Sequence, residues 1–216
     1  MDSPIRISRR RMLELSGATL ISGAAAAAQL SRTPSQTSGP FYPLEKPLDR
    51  DADLTLIEGR SQRAAGQVVN VTGRVLSVEG EPLAGAIIEI WQANTHGRYT
   101  HPNDSNSAPL DPNFEGFASF TTDAQGRYRF KTIKPGAYPA GAAVRPPHIH
   151  FGISHGKTRL VTQMYFPGEP LNSEDFVIAA ARDGGRLLMA DIGPPAAGME
   201  PESTLARWDI VLGPGP

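Results

Sequence analysis

The 216-residue sequence predicts a mainly β chain: an antiparallel β-sandwich with long loops and about one short helix. Short runs of alternating apolar and polar residues recur along its length, and turn signals separate them. Gly and Pro, 22 and 20 residues, are enriched without a low-complexity tract, as suits many strands joined by turns.

The elements follow in order. Val68 to Val78 alternates, with Val69, Val71 and Val75 set against Asn70, Thr72 and Arg74, and Glu79-Gly80-Glu81-Pro82 turns the chain. Ala86 to Trp91 is a second strand. Phe117 to Thr122 and Arg127 to Thr132 flank Asp123-Ala124-Gln125-Gly126, a hairpin loop with its glycine late. His148 to Ile153, Arg159 to Phe166 and Trp208 to Leu212 complete the strands. One helix is expected over Phe176 to Arg182, capped by Ser173, with Glu174 and Asp175 suiting its positive end.

Composition narrows the function. Basic and acidic residues number 21 and 22, so bulk electrostatics argue against nucleic acid as a partner. Cysteine is absent, which excludes a disulfide framework, a thiolate zinc site and an iron–sulfur cluster. Residues 1–28 read as an address rather than as fold. Arg9 and Arg10 precede an uncharged, Ala-rich stretch, too short to span a bilayer and ending in small residues suited to cleavage. The pattern looks like a twin-arginine export signal, predicting a periplasmic or secreted protein without a membrane anchor after cleavage. Residues 29–50 are expected as an extended arm and residues 51–216 as the β-sandwich domain, with a homo-oligomer left open.

The chemistry-bearing residues cluster in two patterns. In Arg145-Pro146-Pro147-His148-Ile149-His150, strand alternation puts both imidazoles on one face while Ile149 points into packing. Two such imidazoles are half of a metal site, and alone they are weak evidence. Tyr99 and Tyr138 lie in polar, turn-rich segments, and a trivalent cation would deprotonate such phenols. Two phenolates with two neutral imidazoles suit Fe(III) better than zinc.

Those residues sit among Trp91-Gln92-Ala93-Asn94, Gly97-Arg98-Tyr99, Leu110-Asp111-Pro112-Asn113-Phe114, Thr132-Ile133-Lys134-Pro135-Gly136 and Thr162-Gln163-Met164-Tyr165-Phe166. Together and in this order they resemble the intradiol ring-cleavage dioxygenases, especially the iron-bearing (beta) subunit of protocatechuate 3,4-dioxygenase. The resemblance implies Fe(3+) held by Tyr99, Tyr138, His148 and His150, with Arg145 and Gln163 as catalytic residues beside it, Arg145 stabilising developing negative charge and Gln163 donating a hydrogen bond near bound oxygen or substrate. It implies a catechol-type substrate (catechol, protocatechuate or hydroxyquinol class) cut by O2 between its hydroxylated carbons to a muconate-type diacid. Tyr138 would leave the iron when substrate binds, making it catalytic as well as a ligand. The resemblance also brings the Gly39-Pro40-Phe41-Tyr42 arm towards the substrate pocket. His96, His101 and His155 match no ligand and are expected to be solvent-exposed. A transthyretin-like binding module shares some turn motifs, but gives no reason for the two tyrosines and two histidines to occur together.

Overall fold

The computed structural model describes residues 29–46 and 51–213. The export signal expected over residues 1–28 lies outside them. Among the described residues, eleven strands form two facing sheets and a small hairpin. In the first sheet, β1 (Val68–Ser77) pairs antiparallel with β4 (Arg127–Ile133) on one side. Its other side takes β10 (Thr204–Arg207) and then β11 (Ile210–Leu212), and β9 (Asp191–Gly193) lies beyond β10. The second sheet runs β3 (Phe117–Thr121), β2 (Ile87–Trp91), β7 (His148–His155) and β8 (Thr158–Tyr165). Between them, Val69, Val71 and Val75 of β1 meet Ile88 and Ile90 of β2 and Ile149, Phe151 and Ile153 of β7. This is the alternation expected of strands with one buried apolar face.

The sandwich is as expected, with one difference of strand direction. β10 and β11 run parallel to β1, so the first sheet is mixed. A parallel neighbour requires a long crossover. The chain leaves β8 through a 3-10 turn at Pro170–Glu174, helix α1 (Phe176–Ala180) and a second 3-10 stretch at Arg182–Leu188, enters the first sheet as β9, and turns back through residues 194–203 into β10.

The helix corrects one detail. Asp175, not Ser173, is its cap, accepting from the Val177 and Ile178 N–H groups at 3.0 and 2.7 Å. Ser173 instead donates to the Pro170 carbonyl at 3.0 Å within the preceding turn. The α-helix ends at Ala180 rather than Arg182, which adopts φ +49°. Strands β5 (Tyr138–Ala140), β6 (Ala143–Arg145), β9 and β10 are too short for alternation to reveal.

The arm is part of the fold. Thr33 exchanges hydrogen bonds with Val211, and the Gln36 N–H donates to the Val161 carbonyl. The Trp91 indole donates to the Ser38 carbonyl at 3.2 Å. Tyr42 donates to Glu89 at 2.9 Å, and Lys46 pairs with the same carboxylate. No helix among the described residues is long and apolar enough to cross a membrane.

Candidate metal centre

β7 separates two environments by alternation. Ile149, Phe151 and Ile153 enter the sandwich core, while His148 and His150 point to the opposite face, where the arm and two loops cover them. Both histidines are buried. Their Nε2 atoms lie 3.2 Å apart. His148 Nδ1 is 2.7 Å from the Pro146 carbonyl, which can only accept. That contact therefore fixes the proton on Nδ1 and leaves Nε2 with a free lone pair, the arrangement typical of a metal-bound imidazole. The Pro146-Pro147 pair both aims this carbonyl and feeds the strand. His150 stacks on the Trp91 indole at 4.9 Å and 6°, as its cross-strand neighbour in β2.

The two tyrosines arrive on separate loops. Tyr99 follows β2, in a turn organised by Asn94, whose side-chain oxygen accepts from the His96 and Arg98 N–H groups. Asp104 then accepts from the Tyr99 N–H at 2.7 Å. Tyr138 opens the β5–β6 hairpin, whose register sets it opposite Arg145. The two loops touch backbone to backbone through glycines. Gly97 adopts φ +76°, and a Cβ there would collide with the Ala137 carbonyl; one on Gly136 would meet the Gly97 nitrogen at 2.5 Å. A side chain at either position would push the tyrosines apart. As built, the rings stand edge to face at 5.4 Å, and the Tyr138 hydroxyl lies 3.5 Å from His148 Nε2.

All four predicted ligand side chains therefore converge. Phe41 lies over both tyrosines, at 4.7 Å from Tyr99 and 6.0 Å from Tyr138. Gly39 brings the arm against His150, where a Cβ would sit 3.2 Å from the imidazole edge. Tyr42 turns away to Glu89 and Trp91, so of the two arm aromatics Phe41 meets the site.

Burial sets the protonation states. It pushes the His148 imidazole down to about 3, with Arg145 adding to the effect, and drives His150 down as well. Both are neutral across the physiological range. Burial, and then the neighbouring Tyr138, push the Tyr99 phenol well above its usual value. For Tyr138, burial raises the phenol and the Arg145 cation partly offsets it. A buried polar atom without a partner is costly, and the Tyr99 hydroxyl is one. Two bare imidazoles and two phenols around one point are a donor set for a hard, highly charged cation. Among the described residues no group of three or more His, Cys, Asp or Glu offers a competing metal site.

A polar network backs the centre. Arg145, 4% exposed, donates to Asp175 at 2.5 Å, to Gln163 at 2.8 Å and to the Tyr165 hydroxyl at 2.9 Å. Tyr165 donates to the Gln163 side-chain oxygen at 2.9 Å, and the Gln163 amide donates to the Thr37 carbonyl at the same distance. Gln163 thus ties the arm to Arg145, opposite His150 in the β7–β8 ladder. Tyr165 and Asp175 are additions to the residues expected from sequence. Alternation along β8 places Tyr165 on the Gln163 face and was the available signal; Asp175 carried only a helix-end signal. His96 is exposed as expected, but His101 is half-buried beside the Phe41 ring and His155 is half-buried too.

An open cleft of about 1000 Å³ leads to the site, walled by Phe41, Asp104, Tyr138, Arg145, Phe176 and Val177 among others.

A dioxygenase family model, Dioxygenase_C, matches residues 37–214, from the arm to the last strand. The chain belongs to the intradiol dioxygenase family. It is 47% identical to the protocatechuate 3,4-dioxygenase beta chain of Burkholderia cepacia, over 68% of this chain and 65% of that one. Against catechol 1,2-dioxygenase 2 of Acinetobacter lwoffii the identity is 35%, over 70% and 57%. Among solved structures, the dioxygenase domain of a carbohydrate-binding fusion from Streptomyces sp. SirexAA-E superposes with a TM-score of 0.65 at 27% identity. That match covers 85% of this chain and 99% of the domain. The chain spans about half to two thirds of the length of the curated relatives it matches.

Proposed function

We propose that the protein is a non-haem Fe(III) intradiol dioxygenase that opens catechol-type rings between their hydroxylated carbons, with Tyr99, Tyr138, His148 and His150 holding the iron. The observation that carries this reading is the convergence of those four side chains at a buried point, with His148 Nε2 left bare by the Pro146 carbonyl. Ferric iron bound there would supply the Lewis acidity that draws protons from a catechol's hydroxyls and primes the ring for dioxygen.

The chain's own residues divide the remaining work. The imidazoles stay neutral because burial disfavours their charged forms, so they never need to lose a proton to serve as ligands. Tyr99 is sealed beneath Phe41 and tied down through Asp104, which suits a permanent ligand. Tyr138 borders the cleft, which suits a ligand that gives way to substrate and takes up one of its protons at Oη. Arg145 borders the same cleft as a fixed cation, and can stabilise negative charge developing on the ring oxygens. Gln163 acts through Arg145 rather than on substrate, since its oxygen is held by the guanidinium.

The test is aerobic oxygen uptake against a panel of catechols, with the product's ring-opening position identified. The expected product is a muconate-type diacid. Iron-loaded protein that consumes no oxygen with any catechol overturns the reading and favours a binding module.

The proposal extends to location: Arg9, Arg10 and the Ala-rich stretch after them support twin-arginine export to the periplasm or beyond. Changing both arginines to lysine should leave uncleaved, active enzyme in the cytoplasm. Finding the unaltered protein there with residues 1–28 retained would overturn export alone.

A further inference from the structure

The cleft that leads to the candidate metal centre is lined by apolar and by polar side chains, the polar ones including Asn103, Asp104, Ser105, Asn106 and Ser107. Phe176 begins helix α1, yet its ring is 58% exposed and turned to the cleft rather than to the core. It lies over the Arg145 guanidinium at 5.6 Å. Asp175 fixes this placement from both sides, capping the helix with one oxygen and pairing with Arg145 through the other. Phe41, Val177, Pro139 and Ala140 continue the apolar lining.

Charge in the cleft points the same way. Arg145 is the one cation among the described residues lining it, and its Nε and one terminal nitrogen are already bonded to Asp175, Gln163 and Tyr165. Asp104 adds a carboxylate to the wall, held by the Tyr99 and Asn106 N–H groups. A ring carboxylate entering here would lose water, meet Asp104 and compete with the ring oxygens for a guanidinium whose Nε and Nη2 are bonded to Asp175, Gln163 and Tyr165, which leaves Nη1. A methyl or halogen substituent would bury apolar surface against Phe176 and Phe41. The cleft's volume, at the upper end for small-molecule sites, leaves space beyond the reacting ring.

We propose that Phe176 is a specificity-determining residue, and that the site takes catechols carrying an alkyl or halogen substituent in preference to those carrying a carboxylate. This rests on the reaction proposed above, and it runs against the substrate in the name of the protocatechuate relative.

Steady-state oxygen uptake with catechol, 4-methylcatechol and protocatechuate tests it in the iron-loaded enzyme and in Phe176→Ala and Phe176→Arg. Phe176 is exposed, so both variants should fold, and thermal melting checks that they do. The unaltered enzyme should show kcat/KM for 4-methylcatechol about ten-fold or more above that for protocatechuate. Phe176→Ala should lower the 4-methylcatechol value more than the catechol value. Phe176→Arg should move the 4-methylcatechol to protocatechuate ratio about ten-fold towards protocatechuate. An unaltered enzyme that favours protocatechuate, or a ratio unmoved by either substitution, overturns the inference and leaves the reaction standing. No uptake with any of the three overturns the proposed reaction, and this inference with it.

Discussion

The two faces of β7 are equally buried and chemically opposite. On one, Ile149, Phe151 and Ile153 interlock with β1 and β2 in a core built by the sheets themselves. On the other, His148 and His150 are covered by the arm, the Tyr99 loop and the Tyr138 hairpin. The first face converts burial into stability. The second spends burial on keeping imidazoles neutral and phenols protonated until a cation takes them. Alternation along a single strand is thus enough to put a reactive centre one residue away from the core that supports it.

If the faces are separable, substitutions on each should have separate consequences. The largest effect is expected at His148→Ala or His150→Ala, which should lower bound iron ten-fold or more by elemental analysis while the folded β signal in circular dichroism persists. Phe151→Ala, one residue from His150, should instead cost about 3–5 kcal/mol in a denaturant melt, with bound iron per folded molecule unchanged. Loss of the metal in that variant at full folding would break the division.

A smaller effect separates the two kinds of ion pair. Asp175→Asn keeps a good helix cap but leaves Arg145 buried without its counter-charge, and should cost about 3 kcal/mol. Glu200→Gln, in the exposed pair with Arg63, should cost less than about 1 kcal/mol in the same melt. Equal costs would mean that the Arg145 network contributes little.

A further effect is in pH. The folded state holds His148 near 3 against an ordinary 6.5, so the unfolded chain binds the extra proton first. The contribution is complete above about 6.5 and is lost as pH falls towards 3. Metal-free protein should therefore melt progressively lower over that window, and His148→Gln should flatten the slope.

Much of this was legible in the sequence because it rests on local pattern. The long strands announced themselves by alternation, and the histidine pair by its spacing on one of them. Tyr99 and Tyr138 were found through their motif company, since no local rule brings a loop after β2 to a hairpin after β4. The glycine contact between Gly97 and Gly136 does that, and it shows only in three dimensions. The parallel pairing of β10 and β11 with β1 joins strands more than a hundred residues apart, and the Asp175–Arg145 pair spans thirty positions of chain. Such long-range pairings leave no periodic trace.

The central claim is that two imidazoles on the outer face of β7 and two phenols from the loops covering it hold ferric iron. Metal analysis combined with a visible spectrum of the purified protein tests it most directly. The account predicts about one iron per chain and a red-brown colour from phenolate-to-iron charge transfer, both lost in His150→Ala. A colourless protein with stoichiometric zinc or copper, active without iron, would contradict it.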